Sequence, residues 1–348
     1  MSEVVDHLAE LTGFRDRDVM DVTLVSALRD LLEPLSVAIY RCIELGEEGC
    51  AQSRWLTRAR LVAGEAVATA DPLWADPSRL PPCSDKPQRL ECMKSRGVLQ
   101  LQQADGSWLT IFPLATEREV VGVLEIVSEQ RLKSGAERMV CSVLRIYHNF
   151  QGLLDYSERD TLTGLLNRKT FDESFLKALG ELPGSAACIE AGDRRHAGGA
   201  RYFLGVIDID HFKSVNDRFG HLIGDEVLLL LSRLMRSSFR FHDLLYRFGG
   251  EEFVVLMRCA DEADAAHAFE RLRHNTEHYA FPQVGHISVS VGFTEVRPGD
   301  SPAAAFERAD RAVYHAKDAG RNQVQSHAAL VAAGAMREQT QLSAVELF

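Results

Sequence analysis

Arg247 to Leu256, with the sequence RFGGEEFVVL, is the segment that most restricts how this chain folds. Its adjacent glycines, Gly249 and Gly250, supply the positive φ angles that a tight hairpin requires. The apolar residues that follow, Phe253 to Leu256, are typical of a strand buried in a core. The sequence therefore predicts a β-hairpin that holds two glutamates at its tip. Because short glycine motifs recur by chance, a solvated turn and a cation site remain equal alternatives for this segment alone.

Length and charge limit the classes of protein that this chain can be. At 348 residues it exceeds the usual size of one domain, so two domains and a linker are expected. A formal charge of −11 argues against general nucleic-acid binding and favours a nucleotide site with locally placed cations or metal ions. No apolar run approaches the roughly 18 residues of a membrane span, and the N-terminus lacks the pattern of a signal peptide. We therefore expect a cytoplasmic protein with no membrane span.

Seven cysteines are present without a CxxC pair, so a disulfide framework is not expected. Four of them, Cys42, Cys50, Cys83 and Cys92, are candidates for a metal cluster. Their irregular spacing favours buried thiols instead.

The region 1–133 begins with a helical period and then becomes mixed. Residues 70–95 contain five prolines and predict a long loop or lid rather than packed structure. Trp108 to Leu114 and Val120 to Val127 are both strand-like and predict a hairpin.

A connecting helix is predicted over residues 134–158. Its apolar side chains follow a 3-4-3-4 spacing that makes a narrow seam: Val140, Val143, Tyr147, Phe150 and Leu154. The seam covers barely two heptads, so a helix packed on its own domain and a dimeric stalk remain equal alternatives.

Past Asp160, helical and strand patterns alternate, which predicts an α/β or α+β sheet covered by helices. The predicted helices are Lys169 to Leu179, Gly224 to Phe239, Asp261 to Tyr279 and Pro302 to Ala319; the strands are Tyr202 to Asp208, the two of the hairpin, His286 to Phe293 and a short one near Gln323. Residues 180–200 predict a mobile loop, and the tail 327–348 has no strong period.

Candidate metal ligands lie where the first of these strands ends. Asp208 and Asp210 are two residues apart, hence on the same side of a strand. An aspartate at a sheet edge beside a hairpin glutamate suits Mg²⁺ and a triphosphate. We expect Asp208 to be the ligand, since Asp210 is better placed to cap the following turn.

Two further pairs of polar residues each have both a ligand-binding and a structural interpretation. Asn216 and Asp225 offer donors and acceptors that suit the Watson–Crick edge of guanine, although a turn residue and a helix N-terminal acid explain them equally well. Lys317 and Arg321 either complement a helix C-terminus with Gly320 as cap, or bind a phosphate. Composition alone favours the cap.

Taken together, these segments resemble the GGDEF family of diguanylate cyclases in its GGEEF variant. The motifs that carry the resemblance are Asp160 to Arg168 (DTLTGLLNR), Asp208 to His221 (DIDHFKSVNDRFGH), Gly224-Asp225, Gly249 to Phe253 (GGEEF), Ser290 to Gly292 (SVG) and Ala316 to Asn322 (AKDAGRN). They span the domain at residues 159–326.

The resemblance implies a palm-like, ferredoxin-type domain that joins two GTP molecules into cyclic di-GMP and two pyrophosphates. It implies one GTP in each domain of a homodimer. By position in the motifs, Asp208, the Ile209 carbonyl and Glu251 would ligate Mg²⁺, with Mn²⁺ possible as a substitute, and Glu251 or Glu252 would help activate the attacking hydroxyl.

The same resemblance implies the remaining substrate contacts. Lys213, Lys317 and Arg321 would bind phosphates, which replaces the cap interpretation. Asn216 and Asp225 would read guanine, and His221 would lie near the ribose. Gly249 and Gly250 would leave room for GTP at the turn.

Arg240 and Asp243 stand at the distance of the family's RxxD site for inhibitory product, with Arg271 as a contributor from a neighbouring domain. Without the signature, they would more often be a surface ion pair. Residues 1–133 are similar, more weakly, to a GAF sensor domain, through the hairpin at 112–124 and the long helix after it. A PAS-like or other α/β sensor would look similar, and no sensor ligand is named.

An active, Mg²⁺-dependent cyclase regulated by the N-terminal sensor is favoured, because each motif position retains a competent residue. One alternative is a catalytically weak domain that acts as a GTP or cyclic di-GMP receptor. A nucleotidyl cyclase that makes cAMP or cGMP is a third, against which the GGEEF signature argues.

Overall fold

The computed structural model describes residues 17–45, 52–72, 79–116, 119–180 and 201–337. The chain divides into two compact units, Met1–Ser157 and Glu158–Phe348, each with helices packed on one β-sheet. This mixed architecture confirms the expected fold class. The loop predicted at 180–200 lies, apart from Gly180, outside the described residues, as does the tail beyond 337. Within the described ranges, no helix is long and apolar enough to cross a membrane.

The first unit is built on five strands: β1 (Ser36–Leu45), β2 (Gln52–Val62), β3 (Leu99–Gln102), β4 (Trp108–Ala115) and β5 (Val120–Ser128). They form an antiparallel sheet in the order β2-β1-β5-β4-β3. The predicted hairpin is confirmed as β4 and β5. Its residues alternate between the two faces of the sheet, as the period of a strand requires.

Both faces of this sheet are covered by helices: α1 (Arg17–Leu32), α2 (Pro87–Ser95) and α3 (Ser134–Glu158). Phe112 packs with α1 and α3, whereas its neighbour Ile111 packs in a different cluster beside α2. Because adjacent strand residues point to opposite faces, the two clusters lie on opposite sides of the sheet.

The prediction of a loop over residues 70–95 is wrong for its second half. Cys83–Asp85 is a 3₁₀ turn and Pro87–Ser95 is the helix α2. Pro87 begins this helix at a position where a missing N–H breaks no bond, so a proline-rich composition does not exclude a helix there. Cys92 then anchors the helix, since it is fully buried.

The predicted seam on α3 packs within its own unit. Val140, Val143, Tyr147 and Leu154 are all buried in the cluster that α1 also contributes to. The structure therefore favours the packed helix over the stalk as the reason for the 3-4-3-4 spacing. Leu153 is 65% exposed, so it lies off the seam.

The second unit has a six-stranded sheet in the order β11-β10-β7-β9-β8-β6. The strands are β6 (Leu166–Asn167), β7 (Arg201–Ile209), β8 (Leu244–Gly249), β9 (Glu252–Cys259), β10 (Val289–Glu295) and β11 (Val324–Ser326). The helices are α4 (Arg168–Gly180), α5 (Phe212–Phe219), α6 (His221–Ser238), α7 (Glu262–His278), α8 (Pro302–Asp318) and α9 (His327–Ala332). Each predicted helix and strand of this unit is present, with ends shifted by a few residues.

The strand β10 was predicted to begin at His286 and is observed to begin three residues later, at Val289. The imidazole Nδ1 of His286 instead bonds the Glu277 carbonyl at the end of α7. The Ser288 side chain donates to Asp210. Side-chain bonds of this kind compete with strand pairing.

The two faces of the second sheet differ in what covers them. Ile207 and Ile209 of β7 pack in the cluster formed with α6 and α7. The alternate residues of β7 therefore point to the opposite face, and α8 packs on β7 and β10. Asp208 shares this second face, because it follows the same alternation.

Candidate active site

The GGEEF segment forms the predicted turn between β8 and β9. Gly249 and Gly250 have φ angles of 142° and 52°, which confirms the positive values expected from the sequence. No described atom lies within 4 Å of the position that a Cβ would take at either glycine. The turn is therefore open on its outer side, while its backbone conformation disfavours any other residue.

Asp208 and Glu252 lie opposite each other in the β7–β9 ladder. Directly opposed residues point to the same face of a sheet, which here is the face covered by α8. Asp208 is only 8% exposed. Lys317, in the last turn of α8, places its Nζ 2.8 Å from Asp208 Oδ2. The sequence prediction that Asp208 and the glutamates of the turn form one site is supported by this geometry.

The acidic groups of this site repel one another. Burial raises the pKa of Asp208, Lys317 opposes that rise, and Asp210 adds to it. Burial, followed by the charge of Asp208, also raises the pKa of both Glu251 and Glu252. A cation bound among these carboxylates would relieve the repulsion, since it stabilises their charged forms.

Asp310, on α8, is an acidic residue of this site that sequence reasoning missed. Its negative charge helps to raise the pKa of Asp208 and of Glu252. Burial raises the pKa of Asp310 itself, against the influence of Lys317. The signal was present in the sequence, because Asp310 and Lys317 are seven residues apart and therefore on one face of a helix.

The donors suit a hard divalent cation. Carboxylate and carbonyl oxygens are the ligands that Mg²⁺ and Mn²⁺ prefer, and Mg²⁺ completes its shell with water and substrate phosphates. Asp208, Glu251 and the carbonyl of Ile209, the last residue of β7, would supply such oxygens. Negative side chains also outnumber Lys317 in this site, so the site attracts a cation by its charge as well as by its oxygen ligands.

The prediction that Asp210 caps the following turn is wrong. Asp210 is 5% exposed and accepts hydrogen bonds from Ser288 Oγ at 2.6 Å, Ser290 Oγ at 2.7 Å and the Asn322 N–H at 3.0 Å. His211, which precedes α5, makes no side-chain cap either. Asp210 instead ties the end of β7 to β10 and to the turn after α8, beside the carboxylate of Asp208.

The two candidate guanine-binding residues come from neighbouring helices. Asn216 is on α5 and Asp225 is on α6, and Gly220 joins the helices with a φ of 84°. Asn216 Oδ1 lies so close to Gly224 that any side chain there would collide with it. Asp225 is the fifth residue of α6, past the first turn in which an acid best complements the helix dipole.

The remaining predicted contacts are spread around this edge of the sheet. Lys213, in the first turn of α5, and His221, at the start of α6, are both exposed. Arg321 is exposed and has a φ of 67°, and its N–H bonds the Ala316 carbonyl. Arg321 thus closes the end of α8 with its backbone and leaves its side chain at the surface.

Sequence reasoning also missed the contact between Asp160 and Arg247, which holds the glycine turn on the side opposite its open face. Arg247 Nη1 lies 3.1 Å from Asp160 Oδ1, and Arg247 Nη2 donates to the Gly250 carbonyl at 2.9 Å. Although burial opposes it, hydrogen bonds from Thr163 and Arg247 lower the pKa of Asp160. The motif Asp160 to Arg168 therefore supports the turn through Arg247 and does not contact its outer side.

The three residues predicted for the inhibitory site cluster at another surface of the same unit. The Arg240 N–H donates to Asp243 Oδ2 at 2.8 Å, and Arg271 donates from Nε and Nη2 to the Ser238 carbonyl at 2.9 and 2.5 Å. Asp243 is 9% exposed, and its Oδ1 has no hydrogen-bond partner among the described residues. Burial raises the pKa of Asp243 to about 6.

Comparison with known proteins agrees with this site. Residues 157–323 match a family model described as diguanylate cyclase, GGDEF domain. Diguanylate cyclase DgcP of Pseudomonas aeruginosa is 34% identical over 212 residues, 60% of this chain and 29% of that protein. Diguanylate cyclase DgcZ of Escherichia coli is 37% identical over 169 residues, 48% of this chain and 52% of that protein. The chain thus spans about half, or less, of the length of these two relatives.

Two solved structures are similar over the second unit. The GGDEF domain of DgcB from Caulobacter crescentus, in complex with c-di-GMP, is 34% identical with a TM-score of 0.42, covering 49% of this chain and 96% of that one. The active GGEEF domain of a diguanylate cyclase from Vibrio cholerae is 32% identical with a TM-score of 0.40, covering 47% and 97%. From the family model and these sequence identities, the chain belongs, through residues 157–323, to the GGDEF family.

Proposed function

We propose that this chain is a diguanylate cyclase, which condenses two GTP molecules into cyclic di-GMP and releases two pyrophosphates. The observation that carries the proposal is the acidic group at the end of β7: Asp208 and Glu252 in register, Glu251 at the open glycine turn and Lys317 against them. The names of the relatives, which are diguanylate cyclases, support the same reaction.

The reaction is an in-line displacement at the α-phosphate of GTP by a ribose 3′-hydroxyl. Asp208, Glu251 and the Ile209 carbonyl would hold Mg²⁺ or Mn²⁺, which would supply charge stabilisation at the phosphate. Glu251 is the proton acceptor for the attacking hydroxyl, because its carboxylate lies at the open turn over which GTP is bound. Glu252 assists it from the first position of β9.

The rest of the site holds the substrate. Asn216 and Asp225 bind the guanine edge, since together they offer both donors and acceptors, and His221 lies near the ribose. Lys213, Lys317 and Arg321 bind phosphate oxygens and offset the charge that builds up on them in the transition state. GTP lies over Gly249 and Gly250, where the turn is open.

The active species is a homodimer, because each domain binds one GTP and the two substrates must face each other. The first unit is a GAF-like sensor that controls this apposition through α3. Since GTP is a cytoplasmic metabolite, the enzyme works in the cytoplasm.

Cyclic di-GMP inhibits the enzyme at Arg240, Asp243 and Arg271. A guanidinium can grip guanine or phosphate with two parallel hydrogen bonds. The Oδ1 atom of Asp243 is buried and has no hydrogen-bond partner in the described ranges, with His242 Nε2 4.0 Å away, and this supports the assignment, since such an atom normally finds a donor.

The proposal is tested by incubating the full chain with GTP and Mg²⁺ and identifying the products by mass spectrometry. Cyclic di-GMP is expected from the wild type, and Glu251→Ala is expected to reduce its formation at least a hundredfold, the lower end for loss of a general base. Glu173→Ala, at an exposed position of α4, is the matched control.

Other products decide between the alternatives. Cyclic AMP or cyclic GMP would contradict the proposal, and a folded dimer that binds GTP without any product would make the domain a receptor. Removal of divalent ions by a chelator is expected to abolish turnover, and Mg²⁺ or Mn²⁺ to restore it.

Product inhibition is tested by the same assay with added cyclic di-GMP. Arg240→Ala is expected to raise the inhibitory concentration roughly tenfold or more, as for the loss of a hydrogen bond to a charged group. Arg233→Ala, exposed on α6, is the control. Deleting residues 1–133 is expected to change turnover, and identical turnover at all concentrations would contradict the sensor.

A further inference from the structure

Two cysteines of the first unit face each other on the side of the sheet opposite α1 and α3. Cys42 is on β1 and Cys83 is in the 3₁₀ turn, and their Sγ atoms are 3.5 Å apart. They belong to the small cluster that Trp55, Cys92 and Ile111 also form. Buried thiols, the interpretation favoured over a metal cluster, describe Cys83 and Cys92, and the Cys92 thiol donates to the carbonyls of Gly97 and Ile111; Cys50 lies outside the described residues.

The backbone fixes this approach. Cys42 lies opposite Trp55 in the β1–β2 ladder. The Trp55 N–H donates to the Pro81 carbonyl at 2.9 Å, and Arg54 pairs with Pro82 in an isolated bridge. The segment that carries Cys83 is therefore bound along the outer side of β2, and the Cys42 and Cys83 side chains meet on the same face of the sheet, in the cluster with Trp55.

The pair is asymmetric. Cys83 is 3% exposed, whereas Cys42 is half-buried. Burial, and then the hydrogen bond with Cys42, raises the pKa of Cys83 to about 12. Cys42 is thus the more accessible residue of the pair, and the Cys83 thiol lies in contact with its sulfur.

We propose that Cys42 and Cys83 are a redox-active pair that hydroperoxides oxidise to a reversible disulfide. The Cys42 sulfur attacks the O–O bond, which leaves a sulfenic acid on Cys42 and releases one water from hydrogen peroxide. The Cys83 sulfur then attacks the Cys42 sulfur, the S–S bond forms, and the hydroxyl leaves with the thiol proton as a second water. Two thiols lose two electrons and two protons, and the peroxide is reduced to two waters.

The bond requires the two sulfurs to move closer together. A disulfide needs its sulfurs about 2.05 Å apart, so this pair, which is 3.5 Å apart, has to approach by about 1.5 Å. The described residues place no third metal-ligating side chain with these two sulfurs. Oxidation, rather than shared metal binding, is therefore the chemistry that the pair supports.

The bond would close a loop over residues 42–83 and tie the segment before α2 to the sheet. Arg89 of α2 makes two parallel bonds to Glu125 of β5, at 2.7 and 2.8 Å, and lies 3.4 Å over the ring of Tyr40. Oxidation therefore fixes one end of a segment whose other end is already held. The proposal names the chemical input of the first unit, and it does not depend on GTP chemistry in the second.

The test uses the full chain, reduced, then treated with one equivalent of hydrogen peroxide and alkylated without reduction. Trypsin releases Cys83 on Leu80 to Arg89, since the Lys86–Pro87 bond resists cleavage, and this peptide is separate from Cys92; cleavage after Glu44 by a glutamate-specific protease separates Cys42 from Cys50. Mass spectrometry is expected to find the Cys42 and Cys83 peptides joined, with the loss of two hydrogens. Dithiothreitol is expected to release them.

Matched variants separate this pair from the other thiols. Cys42→Ser and Cys83→Ser are each expected to abolish the joined peptide, whereas Cys92→Ser and Cys259→Ser leave it. On wild-type protein, oxidation is expected to raise the Tm of the first unit by roughly 5 to 10 °C, as for closure of a long loop. Wild-type protein that joins Cys42 to Cys50, stays unjoined under peroxide, or contains stoichiometric zinc bound by these thiols would overturn the proposal.

Discussion

The two units each bury a carboxylate against a cation, and the surroundings of the two pairs differ. In the first unit, Glu125 receives two parallel hydrogen bonds from Arg89, whose guanidinium is covered by the Tyr40 ring. One positive charge meets one negative charge. In the second unit, Lys317 makes one contact with Asp208 amid further acidic side chains.

The difference separates a structural ion pair from a site built for a ligand. Around Lys317 the acids outnumber the cation: burial and the charge of Asp208 raise the pKa of Glu251 and Glu252, and burial raises that of Asp310. Crowded carboxylates of this kind are stabilised either by protonation or by a bound cation, and they are typical of functional sites. A balanced pair such as Arg89 with Glu125 needs nothing more.

The largest expected effect tests the balanced pair. Arg89→Met leaves Glu125 buried without its cation and is expected to destabilise the first unit by about 3–5 kcal/mol. Adding Glu125→Leu is expected to restore most of that loss, because a pair of apolar groups can replace a buried ion pair. Denaturation followed by tryptophan fluorescence measures this directly, since all three tryptophans lie in the first unit.

A smaller loss in Arg89→Met than in the exposed-pair control Arg29→Ala would contradict the comparison. Arg29 pairs with Asp30 at the surface, where an ion pair is worth less than about 1 kcal/mol.

The next largest effect tests Lys317 and the acidic side chains around it. Lys317→Met is expected to reduce turnover about a hundredfold, the loss typical of removing one group that stabilises a transition-state charge. Stability should change less than in Arg89→Met, because water reaches the half-exposed glutamates. Lys169→Met, exposed on α4, is the control. Turnover equal to that of the wild type would show that Lys317 only neutralises Asp208.

Asp210 is a third case, a buried carboxylate satisfied by neutral donors. Asp210→Asn turns an NH₂ group toward the Ser288 and Ser290 hydroxyls or the Asn322 N–H, and is expected to destabilise the second unit by about 1–3 kcal/mol. The hydroxyls can turn and donate elsewhere, so the lower half of that range is expected. Circular dichroism detects the second unit, which has no tryptophan. A change below 0.5 kcal/mol, roughly the size of a surface substitution, would contradict this role.

Asp243 gives the smallest effect, and one that depends on pH. Its pKa is raised from 3.8 to about 6 by burial, so its contribution to stability is complete below pH 3.8 and is lost as the pH rises through about 6. Asp243→Asn is therefore expected to be more stable than the wild type by about 1 kcal/mol at pH 7, since the weaker amide acceptor offsets part of the gain.

The advantage of Asp243→Asn should disappear at pH 4, as measured by urea denaturation across this range. An advantage that is the same at pH 4 and pH 7 would mean that Asp243 does not titrate as its burial implies.

The sequence predicted the parts of the site that short-range rules determine. Gly249 and Gly250 identified the turn because only glycine adopts such angles freely, and the alternation along β7 put Asp208 at the end of a buried strand. These signals lie within a few residues. The motifs of the family then joined segments that no local rule connects.

The sequence did not predict the contacts that depend on register between distant strands. The cap assigned to Asp210 was wrong because its hydrogen-bond partners are distant in the sequence. Ser288 lies directly before β10, and Asn322 lies in the turn after α8. The link between Arg247 and Asp160 spans 87 positions. No periodicity encodes such pairs.

Asp160 stands two positions past the end of α3, and its carboxylate holds the guanidinium that holds the Gly250 carbonyl. The Arg247 side chain is therefore the one group that lies between the carboxylate of Asp160 and the turn. The guanidinium is planar and donates to both groups, so it fixes the carboxylate and the turn in one mutual geometry. The start of the second unit is thus connected to the glycine turn by a single chain of hydrogen bonds, from Asp160 through Arg247 to Gly250.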